Sequence, residues 1–368
     1  MRVWPLSVIK LGIRARWLGA RGFGLFLMLG VLMFTSRLGA VSAPVTLGSV
    51  ASAPGDSVTM NDSIKPIPAG PQPALVRGRT PPHITRNSLR AEEASAVMNF
   101  NVSLKMRNFA ELQGRLARGE TISPAEMADK YLPLAADYNA TANWLRQQGF
   151  VIEPDSGGLM LFARGTVAQV RDAFQVSFAR VATQDGEFSS AVTAPSVPAS
   201  LAPALMGING LQPHLRKHPN LVHPDAANGV FAPPYFPKQI AQAYGANSLT
   251  QTGSGQTIAI VMDAFPKSTD LTKFWNTCSI TQSTANIANI SVGAGPPTGV
   301  NADTLGYEEV CLDVEWSSSI ASAAKVRVYG VNGLDETDLD LAYQQIYTDA
   351  ANNPQLGLHV VSLSYGGS

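Results

Sequence analysis

Cysteine is scarce in this sequence, where only Cys278 and Cys311 occur. Two cysteines are too few for a small scaffold held by several disulfides, and their spacing is wrong for a structural zinc site. They could pair in an oxidising compartment or remain as two buried thiols. An apolar core must therefore stabilise the fold, and with 45% hydrophobic residues the chain can build one.

The sequence also lacks an excess of charge, since 27 lysines and arginines balance 27 aspartates and glutamates. A neutral chain has no overall field that would attract nucleic acid or an acidic membrane surface. We therefore expect no nucleic-acid partner, and we expect any partner to be recognised at a local site.

Histidine is rare in the second half of the chain. Four of the five histidines (His83, His214, His218 and His223) precede its apolar strands. The fifth, His359, begins such a strand, and we interpret it as a strand-edge residue rather than a catalyst. A Ser-His-Asp triad in this half would therefore lack its base.

The N-terminus has the order of a signal peptide. Basic residues up to Arg21 precede an apolar run at 22–34, and small residues follow at 40–43. The run is shorter than the about 20 residues of a membrane span. Residues 1–43 are predicted to be a signal peptide or, because Pro44 disfavours cleavage, a signal anchor. Either way we expect a secreted, periplasmic or otherwise extracytoplasmic protein, with membrane contact only through an uncleaved anchor.

Composition and periodicity divide the rest into four parts. Residues 44–102 are rich in Pro, Ser, Gly and Ala and are predicted to be a flexible linker. Residues 103–211 alternate short helices with strands, which indicates a small α+β domain. The stretch 212–229 is polar, histidine-bearing and interrupted by proline, as expected of a cleavable linker.

Local signals place the elements of the α+β domain. Ser123 before Pro124 indicates a helix start, and Thr166 is a plausible cap for another helix. A helix over 138–148 would end at Gly149, and two strands would follow, joined at 157–158.

The remaining part, 230–368, is predicted to be α/β. Its apolar, β-branched runs at 257–262, 325–329 and 359–364 read as strands. A helical pattern at 338–352 separates the last two. Continuous apolar strands separated by helices favour a parallel sheet covered on both faces.

Two acidic residues in this part are candidates for chemistry. In a helix, Glu309 and Asp313 would be four residues apart and would face the same side. Two adjacent carboxyl groups do not ionise independently, so one has a raised pKa and suits general base work in acid. A solvated acidic helix face is the alternative. The apolar residues that flank the pair indicate that the helix is half buried. Burial of a carboxylate is costly, so carboxylates at such a position indicate a function.

Several motifs together resemble the sedolisin and kumamolisin peptidases. The segments 123–126, 165–170 and 195–198 are similar to the activation propeptide of that family. The Glu309-x-x-x-Asp313 motif and the strand after it are similar to the family's carboxylate helix. The segment 361–367 resembles its cleft strand. The motifs occur in the family's order over 104–368.

The resemblance implies a fold and roles. We expect an α/β domain with a subtilisin-like parallel sheet, incomplete here, after an α+β propeptide of ferredoxin-like type. Glu309 would be the general base and Asp313 its partner. Asp263 would be an acid linked to the pair or a strand-end turn residue. Backbone groups of Ser364, Gly366 and Gly367 would bind an extended substrate, unless they are an ordinary strand end.

The sequence departs from this family in what it omits. It contains no Gly-Thr-Ser nucleophile segment, no later oxyanion-hole aspartate and no calcium loop. Calcium is expected for the full-length family, with its ligands absent from this chain. We therefore expect a C-terminally truncated precursor of an acid serine endopeptidase that is inactive as written. Its partners would be protein or peptide substrates and its own propeptide, as an intramolecular inhibitor.

A second interpretation is a propeptide-like protein that inhibits or assists the folding of a related peptidase. The complete propeptide region makes this possible. An open strand edge and exposed apolar surface in the α/β part would favour aggregation and argue against it.

Overall fold

The computed structural model describes residues 56–67, 84–153, 155, 157–183, 185–219, 235–299 and 304–366. The predicted signal segment and Gly367 lie outside these residues. Among these residues there are two large hydrophobic cores and a smaller cluster of Leu112, Ile122 and Tyr131. We call the described residues up to 215 the N-terminal unit, residues 216–219 the connecting segment, and the described residues from 235 onward the C-terminal unit.

The N-terminal unit mixes antiparallel sheets with helices. Its strands are β1 (Ser57–Thr59), β2 (Thr85–Asn87), β3 (Val97–Leu104), β4 (Val151–Glu153), β5 (Met160–Thr166), β6 (Phe178–Thr183), β7 (Gly186–Ala191), β8 (Ser196–Pro198) and β9 (Leu205–Asn209). Its helices are α1 (Ala91–Ser95), α2 (Phe109–Ala117), α3 (Pro124–Glu126), α4 (Ala135–Gln147) and α5 (Val167–Phe174). The largest sheet has the order β4-β5-β3-β9 and is antiparallel throughout.

Strand β3 explains how this unit packs. Met98, Phe100, Val102 and Leu104 alternate onto one face and are buried in the first core. The ring of Phe100 makes T-shaped, edge-to-face contacts with the rings of Phe150 and Phe174, at centroid distances of 4.9 and 5.5 Å. The intervening residues of the strand face the opposite side of the sheet.

The local sequence signals in this unit are confirmed. The Ser123 hydroxyl accepts a hydrogen bond from the amide of Glu126, with Pro124 at the first helical position. The Thr166 and Gln169 side chains form a reciprocal cap at the start of α5. Gly149 follows α4 at φ 85°, a left-handed conformation that favours glycine.

The predicted boundaries of this unit are wrong at both ends. The flexible linker was predicted to extend to residue 102, but β3 begins at Val97 and is a central strand, and β1 pairs with β8. At the other end, Gln212 and His214 were predicted to lie in an exposed linker but are buried. The His214 ring bonds to the Ser190 hydroxyl at 2.9 Å, so it belongs to the fold.

The C-terminal unit contains the predicted parallel sheet. Its strands are β11 (Thr257–Met262), β12 (Ile287–Ser291), β13 (Lys325–Gly330) and β14 (Leu358–Ser362), after a two-residue strand β10 (His218–Pro219) in the connecting segment and before another, β15 (Tyr365–Gly366). Its helices are α6 (Pro237–Ala243), α7 (Ser268–Thr277), α8 (Thr304–Ile320) and α9 (Glu336–Asn352). The sheet order is β12-β13-β11-β14, with all pairs parallel.

Burial explains the apolar runs of this sheet. Ile260, Val261 and Met262 on β11 are fully buried, because helices cover both faces. Asp335 caps the N-terminus of α9, and its carboxylate accepts from the amides of Thr337 and Asp338. This helix buries Leu339, a residue of the second core.

Within the described residues, no helix is both long enough and apolar enough to cross a membrane. Cys278 and Cys311 are free thiols, half-buried and buried respectively. Burial raises the pKa of both thiols.

Candidate active site

The two acidic candidates lie on one helix beside the parallel sheet. Helix α8 places Glu309 and Asp313 one turn apart, as the spacing predicts. Glu309 is only 5% exposed and Asp313 is half-buried. Glu309 Oε2 and Asp313 Oδ2 are buried without a hydrogen-bond partner. Such unsatisfied carboxylate oxygens do not fit a solvated acidic helix face.

Burial dominates the titration of this pair. It raises the pKa of Asp313, and it raises the pKa of Glu309 with a further increase from the Asp313 charge. The two carboxyl groups therefore titrate as a coupled pair rather than independently. A carboxylate with a raised pKa is a stronger base than an exposed one.

Ser364 contributes a side chain that the sequence did not indicate. Its hydroxyl donates to Asp313 Oδ1 at 2.7 Å. This hydroxyl partly offsets the effect of burial on the pKa of both carboxyl groups, since it stabilises their ionised forms. The Ser364 side chain thus links the acid pair to β15, which starts at the next residue. The expected role of its backbone groups in binding a substrate stays a prediction.

Substitution of Ser364 tests this link. In Ser364→Ala the pKa of Asp313 should rise further, because the ionised carboxylate loses its donor. In Ser364→Thr, which keeps a hydroxyl, it should stay close to the wild-type value. The measurement is an NMR titration of the Asp313 carboxyl carbon in protein with labelled aspartate. An unchanged Asp313 titration in Ser364→Ala would exclude the link.

Strand β15 already carries an extended partner. The connecting segment pairs with it antiparallel, with His218 opposite Gly366 and Pro219 opposite Tyr365. Backbone contacts hold the start of this segment on the C-terminal unit, since the Lys217 amide donates to the Leu334 carbonyl at 2.8 Å and Arg216 forms an isolated antiparallel β-bridge with Asp335. The strand that was predicted to bind a peptide therefore pairs with one from its own chain.

The other predicted residues have varied positions. Asp263 follows β11 and is 8% exposed, and its charge raises the pKa of Asp338. Its role as a partner of the acid pair stays a prediction. Gly366 lies in β15, whereas Gly367 is outside the described residues. His359 bonds to the Gln256 side chain at 2.9 Å on β14.

Metal ligands do not cluster in the described part of the chain, where no group of three or more histidine, cysteine or acidic residues could hold an ion. The residues present thus do not fit the calcium ion that the resemblance implies. Calcium enters no step proposed below.

The two units also share an interface at α9. The N-terminal unit packs its sheet on α9, and a cavity of about 350 Å³ between them is lined by residues of both, including Gly210, Asp335 and Asp338. Burial and the Asp335 charge raise the pKa of Asp338 to about 7. Sequence reasoning missed this interface, because no local spacing reports contacts between distant segments.

Comparison with known proteins agrees with the motifs. Residues 87–213 match the family described as "Pro-kumamolisin, activation domain". The chain is 26% identical over 301 residues to xanthomonalisin from Xanthomonas sp. (strain T-22), which covers 73% of this chain and 36% of that protein. It is 31% identical over 215 residues to kumamolisin from Bacillus sp. (strain MN-32), which covers 55% of this chain and 37% of that protein.

The match to the pro-kumamolisin activation domain thus lies within the N-terminal unit. The predicted resemblance to the sedolisin and kumamolisin peptidases is confirmed. The chain spans little more than a third of the length of either relative.

Proposed function

We propose that this chain is the precursor of a secreted, acid-acting serine-carboxyl endopeptidase. The N-terminal unit would be its inhibitory propeptide, of ferredoxin-like type, and the C-terminal unit would belong to a subtilisin-like catalytic domain. One observation carries the proposal: the buried Glu309–Asp313 pair is joined through Ser364 to a strand that binds an extended chain.

The proposed chemistry follows from the free oxygen of Glu309. Its ionised Oε2 would take the proton of a serine hydroxyl while the serine oxygen attacks the peptide carbonyl. Glu309 would then give this proton to the leaving amine. Asp313 would orient Glu309 and raise its basicity through its negative charge. The sequence has no Gly-Thr-Ser segment, so none of its residues is assigned as the nucleophile.

The pairing of β10 with β15 supports the proposed inhibition. An extended peptide that adds to a strand edge gains backbone hydrogen bonds, and peptide substrates bind in this way. While the connecting segment lies on β15, a substrate cannot pair with the same backbone groups. The segment would therefore act as an intramolecular inhibitor until it is cut.

The test uses the protein produced from its complete gene. We expect hydrolysis of a fluorogenic peptide with a maximum in acid, preceded by a cut on the C-terminal side of His214. The rate is measured from pH 3 to pH 7, and mass spectrometry locates the new N-terminus. Hydrolysis that is fastest at neutral pH, or a released mature domain without activity, would contradict the proposal.

A second candidate function is inhibition of a related peptidase in trans. The family match lies within the N-terminal unit, which has a hydrophobic core of its own. The full chain would then inhibit mature kumamolisin in acid at equimolar concentration. An unchanged kumamolisin rate at a large excess of the chain would remove this candidate.

A further inference from the structure

Two asparagines of the N-terminal unit face one carboxyl group of the C-terminal unit. Asn101 on β3 and Asn209 on β9 are directly opposite in the antiparallel pair. Both amide Nδ2 atoms donate to Asp340 Oδ2, at 2.7 and 3.3 Å. Asp340 lies on α9, one helical turn before Gln344, which donates to Asp155 of the N-terminal unit at 2.9 Å.

Asp340 has neutral and acidic neighbours. Burial raises its pKa, and the charges of Glu336 and Asp335 at the start of the same helix raise it further. The hydroxyl groups of Tyr343 and Tyr365 bond to each other, and the Asp340 charge raises the pKa of both. None of the ion pairs among the described residues includes Asp340. An ionised Asp340 would therefore lack a compensating positive charge.

Asn101 has an unsatisfied hydrogen-bond acceptor. It is fully buried, and its Oδ1 has no hydrogen-bond partner although its Nδ2 bonds to Asp340. The amide nitrogen and oxygen of Asn101 can exchange places, and beside an ionised Asp340 either orientation leaves one of these two buried atoms without a partner. A carboxylate cannot supply the missing donor, whereas a protonated carboxyl group carries one O–H.

We propose that Asp340 is protonated when the two units are docked, and that docking takes up one proton from solvent at this residue. The neutral carboxyl group accepts from an asparagine amide and donates its O–H to the Asn101 carbonyl oxygen. This acid–amide pair satisfies both buried groups without a cation. The site is thus a recognition site for an uncharged carboxylic acid, made by primary amides on the propeptide sheet.

The sign of the pH dependence follows from this pairing. Burial raises the pKa of Asp340 and outweighs the opposing hydrogen bonds from the two asparagines. A carboxyl group of raised pKa contributes fully to docking below its ordinary pKa of about 3.9, and the contribution is lost as the pH rises through the docked value. Acid therefore strengthens this contact.

Other groups at the interface titrate as well. Asp338 has a pKa of about 7 and lies in the field of Arg216. Burial and Lys65 lower the pKa of His214, so acid weakens the N-terminal unit at that residue. The experiment must separate Asp340 from both. The inference rests on the proposed docking of the propeptide on its own catalytic domain, and its test uses no hydrolysis.

The experiment is hydrogen exchange of the full chain at pH 4 and pH 7, corrected for intrinsic exchange rates. In an Asp338→Asn background, protection of β3, β9 and α9 should fall about tenfold or more between pH 4 and pH 7, because docking loses the contribution of the protonated Asp340. Adding Asp340→Asn, a neutral isostere that both donates and accepts, should keep the pH 4 protection at pH 7. His214 is unchanged in all variants.

Asn101→Ala tests the site from the other unit and should remove both the pH dependence and part of the protection at pH 4. Protection of β11 and β13 reports whether each variant keeps the second core. Equal protection at both pH values, or weaker docking of Asp340→Asn at pH 4, would mean that Asp340 docks as a carboxylate and would overturn the inference. A protein without peptidase activity would leave these outcomes unaffected.

Discussion

Replacement of Glu309 by glutamine is expected to lower kcat/KM for peptide hydrolysis by about 10³-fold in the protein produced from its complete gene. Glutamine keeps the shape of the side chain but cannot take a proton. Asp313→Asn should cost less, because it leaves the base in place. It should also move the acid limb of the pH profile to lower pH, since the Asp313 charge raises the pKa of Glu309.

A stability measurement separates this loss from misfolding. The raised pKa of Glu309 means that its contribution to stability is present below the unfolded pKa and is lost as the pH rises through the folded pKa. Glu309→Gln should therefore unfold at higher denaturant concentration than the wild type at pH 7, while it is less active. Glu308→Gln, about 100° around the same helix, is the matched control. Equal losses of activity in both variants would show that Glu309 is not the base.

Replacement of Gly210 by alanine is expected to weaken docking of the two units by about 3 kcal/mol, from backbone strain and overpacking together. Gly210 has φ 85°, a left-handed conformation in which a side chain is strained. An added Cβ would also collide with the Thr337 hydroxyl on α9 and lie 3.0 Å from the Asn99 carbonyl oxygen. Thr337 is buried, so it has little room to move.

Gly119→Ala is the matched control for the Gly210 variant. Gly119 also has a positive φ, of 74°, but a Cβ there would have no atom within 4 Å. It should therefore cost about 1 kcal/mol, from backbone strain alone. Urea unfolding gives the two losses, and hydrogen exchange in α9 shows whether Gly210→Ala opens the interface. Equal losses for the two variants would mean that the collision with Thr337 is relieved.

The sequence predicted the elements that are determined by patterns of neighbouring residues. The strand at Thr257–Met262 is an unbroken apolar run, and Glu309 and Asp313 have the spacing of one helical turn. Strand β3 was missed because its alternate residues Asn99 and Asn101 read as polar linker. They face outward on the sheet, and Asn101 is buried only because α9, more than 200 residues later, covers that face.

In the candidate site, too, local features were predicted and contacts between distant segments were not. The acid pair was predicted from spacing together with resemblance. The Ser364 hydroxyl bond to Asp313 spans 51 residues and depends on how β14 ends beside α8, which no local pattern reports. The cleft strand was predicted, but its pairing with the connecting segment joins residues far apart in the sequence, which no local pattern reports.

Helix α9 has a further consequence for the order of folding. It is the crossover between β13 and β14, so these two strands reach the parallel sheet only when α9 lies against it. Such non-local pairing is slow, because the chain loses loop entropy before the strand contacts form. The antiparallel sheet of the N-terminal unit contacts the same helix through Asp340 and Gln344. An N-terminal unit that folds first would hold α9 in place and shorten the search of β14 for its partner β11.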